Sequence, residues 1–224
     1  MKASNLQNSE LYERQFGWKE KRNDNIFMLV FVLAMAIILS FVCWFHENFS
    51  GVQVSGPSMQ KTLMGGEYLL MKEVQGGEGF TYGDVVVVRV EHYPEIQKAN
   101  QYKPENQKTK FLIKRVIAME GDKVRCTDGQ VEICYAGTTE YVVLEETYAY
   151  YFRPMEEYDF AEYLVGEGEI FFLGDNRNNS FDSRYQEGNS RLDRLYKEDD
   201  VYGVVPQWAI DNRAWLEKIF FWKD

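Results

Sequence analysis

The strongest feature of the hydropathy pattern is an unbroken apolar run, IFMLVFVLAMAIILSFVCWF, at residues 26–45. It carries no charge and lacks the polar stripe that a core helix of a soluble protein would show. About twenty helical residues cover a bilayer core of roughly 30 Å, so the run predicts one transmembrane helix. Lys2, Arg14, Lys19, Lys21 and Arg22 precede it, and no Lys or Arg follows until Lys61. By the positive-inside rule the N-terminus is expected in the cytoplasm and the chain beyond about Phe45 outside. The run is longer than a cleaved signal's apolar core, and CWFHENFSG offers bulky groups where a small-x-small site would lie. It therefore reads as an uncleaved anchor.

Beyond the anchor the pattern turns to short strands. EYLLMKEV (67–74) and GDVVVVRV (83–90) flank a Gly-rich link, and FLIKRVIAM (111–119) is a strong strand candidate closed by the turn EGD. DKVRCTDGQVEICYAG (122–137) reads as a hairpin, GEIFFLGDNRNNSFDSR (168–184) as a strand entering a polar loop, and DVYGVVP (200–206) as a last strand. The polar stretch 91–110 reads as an exposed loop with little to bury. Residues 141–169 are rich in acidic and tyrosine side chains, with Arg153 their only basic residue, and suggest a small inserted lobe. In the tail, Trp215, Ile219 and Trp222 recur at helical spacing with Leu216 and Phe220 beside them. Packing on the β domain is the default for this tail, and an interfacial membrane helix the alternative. The fold class expected is mainly β, a folded sheet or barrel behind one N-terminal transmembrane helix. The expected division is a cytoplasmic tail (1–25), an anchor (26–45), a main β domain in two parts (46–122 and 169–210), an inserted lobe (123–168) and an amphipathic tail (211–224).

A net charge of −10 argues against nucleic acid as a partner. Three cysteines are too few for a disulfide scaffold. If Asp128-Gly129 forms a two-residue turn, Cys126 faces Val131 and Cys134 lies on the opposite side of the ribbon, so a bridge between them is not expected. No His/Cys/Asp cluster has metal-ligand spacing. DNRNNSFD resembles a calcium loop, but its third, sixth and twelfth positions are Arg177, Ser180 and Gln186. No metal or cofactor is therefore expected.

The candidate nucleophile is Ser58, in VSGPSMQKTL just past the anchor. Such a serine needs a proton acceptor. The two histidines, His46 at the membrane edge and His92 in a polar segment, have no supporting motif. A lysine serves only if burial lowers its pKa from about 10.4. Lys114 in FLIKRVIAM shares a strand face with Leu112 and Val116, and Arg115 shares the other with Ile113 and Ile117; one of the two cations must lie near the core. Ser58 and Lys61 also form an S-x-x-K tetrapeptide, as in penicillin-binding acyltransferases, but the S-D-N and K-T-G elements of that family are missing.

Three blocks together resemble the type I signal peptidases of bacteria, membrane-anchored Ser-Lys endopeptidases. SGPSMQKTL is similar to their nucleophile box, KRVIAMEGD to the box holding the general-base lysine, and GDNRNNSFDSR to their third box. The resemblance implies that Ser58 is the acylating nucleophile and Lys114 its base, with Ser180 holding the lysine amine. Asp182 and Arg184 would form a supporting ion pair, and Gly174, Asp175 and Asn176 a floor beneath the site. Gly56, Pro57 and Met59 would border the oxyanion site, where Gly56 replaces the serine that some relatives have. The family usually has Pro at the position of Lys61, so a turn normally locked by a ring is freer here, at some entropic cost to the folded state. The implied substrates are secretory precursors with small residues before the cut, met at the outer face of the bacterial cell membrane. Two other readings stay open: the Ser58/Lys61 acyltransferase and a non-catalytic signal-peptide-binding paralogue.

Overall fold

The apolar run lies within one long helix, α1 (Lys2–Asn48), whose span Asn23–Asn48 is long and apolar enough to cross a membrane, with its large apolar side chains exposed. The structure, a computed structural model, describes residues 2–74, 76, 79–151, 159–184 and 196–220; Arg153, Gln186 and Trp222 fall outside them. The chain divides into two units, Met1–Asn48 and Phe49–Asp224.

The second unit is built on two antiparallel sheets. Strands β1 (Phe49–Gln53), β2 (Tyr68–Glu73), β3 (Val85–Arg89), β4 (Phe111–Ala118), β9 (Phe171–Leu173) and β10 (Val201–Val205) form the larger, in the order β1-β2-β10-β3-β4-β9. Strands β5 (Lys123–Thr127), β6 (Gln130–Cys134), β7 (Val142–Val143) and β8 (Phe160–Leu164) form the smaller, in the order β7-β6-β5-β8, and all lie in the chain between β4 and β9. β3 reads VVVV with all four valines buried, because it is central in the sheet and covered on both faces. One core cluster gathers Val86, Val88, Val116 and Phe172; a second gathers Ile117, Phe171 and Leu173 with Val124 and Ile133 of the smaller sheet. β4 contributes to both, and this places both of its cations inside the protein.

The β5–β6 hairpin turns at Asp128 and Gly129, with φ of 51° and 73°, as a two-residue primed turn requires. Cys126 pairs with Val131 and Cys134 with Lys123, and both cysteines are buried free thiols.

Two expectations are corrected. Residues 91–110 are not a bare loop: they hold helix α2 (Pro94–Asn100) and a short 3-10 turn, Glu105–Gln107. Proline suits the first helical turn, and Tyr93 and Ile96 bury beside Val88 and Val90 in the first core. The buried Asn100 side chain closes the segment by bonding both the N–H and the carbonyl of Thr109. The two apolar residues that bury, Tyr93 and Ile96, are too sparse a signal in so polar a run to reveal this. The tail forms helices α3 (Gln207–Asp211) and α4 (Arg213–Phe220), and it packs through Leu216, 2 % exposed, not through Trp215 and Ile219, which are 60 % and 52 % exposed.

Candidate active site

The segment after β1 is a loop closed at its base by Val54 N–H to Glu67 O (2.9 Å) and Gly66 N–H to Val54 O (2.8 Å). Met59 and Leu63 are buried and anchor its middle, while Leu63 N–H bonds Met59 O at 2.8 Å and Gln60 N–H bonds Pro57 O at 2.9 Å. Gly56 at φ +88° makes the bend that a β-carbon would strain. Ser58 sits at the turn between these anchors, and among the described residues its N–H has no internal acceptor.

Lys114 arrives on β4 opposite Val86, on the face it shares with Leu112 and Val116. It is 2 % exposed, and its Nζ donates to Ser58 Oγ at 2.9 Å and to Ile113 O at 2.8 Å. Burial pushes the amine down to about 8, against a smaller opposing pull from the carboxylates of Asp182 and Asp175. Arg115, on the opposite face, forks onto both oxygens of Asp175 (2.8 and 2.6 Å), and Thr62 Oγ1 bonds the same carboxylate.

The loop after β9 lies directly under Ser58. Asn176 N–H donates to Ser58 O (2.9 Å) and Asn176 Nδ2 to Pro57 O (3.1 Å). Gly174 is so close that a β-carbon there would meet Ser58 O at 2.6 Å and Ser180 Oγ at 2.1 Å; no other residue fits. Asp182 accepts from Gly174 N–H at 3.0 Å and pairs with Arg184 at 2.8 Å. Burial would raise the Asp182 carboxyl, but the charge and hydrogen bonds of Arg184 and the Gly174 N–H hold it below its usual range.

Ser180 Oγ is buried beside the Asp182 carboxylate, which its hydroxyl helps to hold below the usual range, and the bonds of Lys114 Nζ go to Ser58 and Ile113. Lys61 is exposed, and its backbone takes φ +86°. Residues 58–61 are a run of turns, not the helical turn that would bring Lys61 to Ser58, so the penicillin-binding pairing is absent. A proline, fixed near φ −65°, cannot occupy this conformation. His92 is engaged at the surface with Asp200, Nε2 to Oδ2 at 3.3 Å.

A groove of about 670 Å³ runs from Ser58 and Lys114 between two walls, residues 51–54 of the loop and edge strand β1 on one side and residues 105–113 on the other. An edge strand leaves main-chain donors and acceptors unpaired on its outer side, which suits an extended peptide.

Sequence reading missed three participants in this framework: Arg177, Glu146 and Tyr148. Arg177 is 3 % exposed and pairs with Glu146. The ring of Tyr148 lies 4.0 Å from the Arg115 guanidinium. Nothing in the sequence separates Glu146 or Tyr148 from the other acids and tyrosines of that stretch.

The family model described as "Signal peptidase, peptidase S26" matches residues 24–216 of the chain. Signal peptidase I U of Bacillus subtilis (strain 168) is 27% identical over 193 residues, covering 83% of this chain and 87% of that protein. The probable signal peptidase I-1 of Synechocystis sp. is 29% identical over 192 residues, covering 85% and 79%. The crystal structure of a signal peptidase I from Enterococcus faecalis V583 aligns with 23% identity and a TM-score of 0.37, over 58% of this chain and 98% of that one.

Proposed function

Because the chain belongs to the signal peptidase family, peptidase S26, we propose a full reading in which Ser58 and Lys114 are the dyad that removes signal peptides from secreted precursors. Removal of signal peptides by a serine–lysine protease is the activity of this family, and an N-terminal apolar helix is consistent with membrane anchoring. The observation that carries the assignment of residues is the 2.9 Å contact between a buried, pKa-lowered amine and a half-buried serine hydroxyl.

In this reading α1 spans the cytoplasmic membrane with its N-terminus inside, and the second unit works at the outer surface. Trp208 and Trp215, exposed on α3 and α4, then suit contact with the lipid headgroups. A precursor lies extended in the groove, hydrogen-bonding the edge of β1, with small side chains before the scissile bond. As Ser58 Oγ attacks the carbonyl carbon, neutral Lys114 takes its proton. The unpaired Ser58 N–H meets the oxyanion, a donor of a kind whose removal typically costs about 2.7–4 kcal/mol. The Lys114 ammonium then returns the proton to the leaving amine as the peptide bond breaks, and the buried Ser180 hydroxyl accepts from it during the exchange. Lys114 next deprotonates a water, which attacks the ester carbonyl; the ammonium then returns that proton to Ser58 Oγ as the ester bond breaks, and the signal peptide leaves as a carboxylate, its remaining proton passing to solvent. The scheme uses protein groups and water throughout, with no metal, organic cofactor or nucleic acid.

The test is cleavage of a preprotein with Ala at positions −3 and −1 by the purified full chain in detergent. Ser58→Ala and Lys114→Ala should each abolish product, whereas Lys61→Ala should cut at the wild-type rate. Cleavage surviving in Lys114→Ala would overturn the assignment, and binding without product in the wild type would favour a non-catalytic receptor.

A further inference from the structure

Residues 146–151 of the acidic lobe run alongside the loop that underlies Ser58. Tyr150 N–H donates to Asp175 O at 2.7 Å and Arg177 N–H to Tyr150 O at 3.0 Å, a short parallel bridge with Asn176 between them. On its far side the same Asn176 carries the carbonyls of Pro57 and Ser58. The loop is therefore held between the nucleophile turn and this strap. Three side chains, Glu146, Tyr148 and Tyr151, fasten the strap. Glu146 takes Arg177 on both carboxylate oxygens, one contact being 2.7 Å, and the two side chains are 8 % and 1 % exposed. Arg177 also donates to Tyr151 Oη (3.1 Å) and to the carbonyl of Gly174 (3.1 Å), the glycine that touches Ser58. Tyr148 covers the guanidinium of Arg115, which grips Asp175.

We infer that Glu146 is a positioning residue of the Ser58 site, acting through Arg177 to fix residues 174–177 and, through Asn176, the nucleophile turn; this rests on the dyad reading above. Arg177 is almost wholly buried, so Glu146 neutralises a charge that would otherwise have no carboxylate partner. Removing one member of such a pair is strongly disruptive, unlike removing a surface pair. The resulting movement falls on the loop and the Ser58 carbonyl, and a displacement of about 1 Å at a reacting group can cost on the order of 10²-fold in rate. The acidic lobe is thus built into the site through its buried members, while its exposed carboxylates are free of this role.

The test compares Glu146→Gln, Tyr148→Leu and the surface control Glu132→Gln, whose partner Arg125 is half-exposed on the β5–β6 hairpin. Each is made in the full chain in detergent. Amide hydrogen exchange is followed at residues 57–60 and 174–177, and kcat and KM are measured with the same preprotein. Glu146→Gln should speed exchange at both segments at least about tenfold and lower kcat at least about tenfold, with KM within twofold and the two sheets otherwise protected. Glu132→Gln should change neither. Tyr148→Leu should give a weaker version of the Glu146→Gln result, and it decides the matter should Glu146→Gln not fold. The inference is overturned if the folded variants match Glu132→Gln in exchange and kcat, or if a fall in kcat only follows the unfolded fraction. Exchange reads the strap without catalysis, so an inactive wild type would sink the dyad reading and leave this result standing on its own.

Discussion

Gly174 and Ser180 stand so close that a β-carbon on the first would lie 2.1 Å from the hydroxyl oxygen of the second, and the Ser58 carbonyl blocks the same space at 2.6 Å. Two segments distant in sequence, the turn at Ser58 and the loop from Gly174 to Ser180, meet there without room for one methyl group. Gly174→Ala should therefore destabilise the protein by about 1–3 kcal/mol, the usual cost of overpacking. It should also reduce preprotein cleavage far more than that loss of folded protein explains, because the displaced groups include the nucleophile's own residue. Thermal unfolding and cleavage on the same sample separate the two effects.

The pH profile follows from Lys114. In the proposed dyad the amine must be neutral to take the Ser58 proton, and burial places its pKa at about 8. The quantity kcat/KM should rise tenfold per pH unit up to about pH 8 and then level off. A flat profile between pH 6 and 9 would contradict a lysine base.

Stability carries the same signature with a defined sign. Lys114 ionises near 8 when folded and near 10.4 when unfolded, so between these values the unfolded chain binds more protons and stability rises with pH. Below about pH 8 the folded protein bears the whole cost of the buried charge, about 3 kcal/mol at 1.36 kcal/mol per unit. Lys114→Met should then be inactive yet more stable than the wild type at pH 6, with the difference shrinking as the pH is raised toward 10. Denaturant titrations at the two pH values provide the check.

Lys61 occupies a left-handed backbone conformation at φ +86°, which costs a residue with a β-carbon about 1–2 kcal/mol. Lys61→Gly should raise stability by up to about 1 kcal/mol, the remainder being offset by the entropy that glycine loses on folding. Its cleavage rate should be unchanged, since the side chain is exposed. Lys61→Pro, which restores the residue usual in the family, forces φ near −65° and should lower both stability and cleavage unless the loop refolds as a whole. Parallel melting curves and rate measurements on the two variants would show this.

Asp175 is wholly buried beneath Arg115 and Thr62. Asp175→Asn keeps the shape but leaves a buried guanidinium without its counter-charge, a loss of about 3–5 kcal/mol. Urea unfolding of the variant should show a midpoint shift of that size, and cleavage should fall with it.

Much of the architecture was legible in the residues. The uncharged run at 26–45 required a membrane-length helix, alternating and all-valine runs marked the strands, and Asp128-Gly129 fixed the hairpin register that keeps Cys126 and Cys134 apart. The motifs singled out Ser58 and Lys114 because a buried lysine is one of few groups able to replace histidine as a base. Local patterns of this kind depend on spacing along the chain, so sequence alone can determine them. Other features depended on which segments meet. Arg115 is buried along with Lys114 because β4 has a core on each face, and α4 turns Leu216 inward because that side meets β2. Lys61 lies at a φ set by the closure of its loop, not by its own preference. Glu146, among many acids of similar surroundings in the sequence, became the partner of Arg177 only when the lobe folded against residues 174–177. Burial and charge pairing are properties of contacts between remote segments, and for these the tertiary structure alone was decisive.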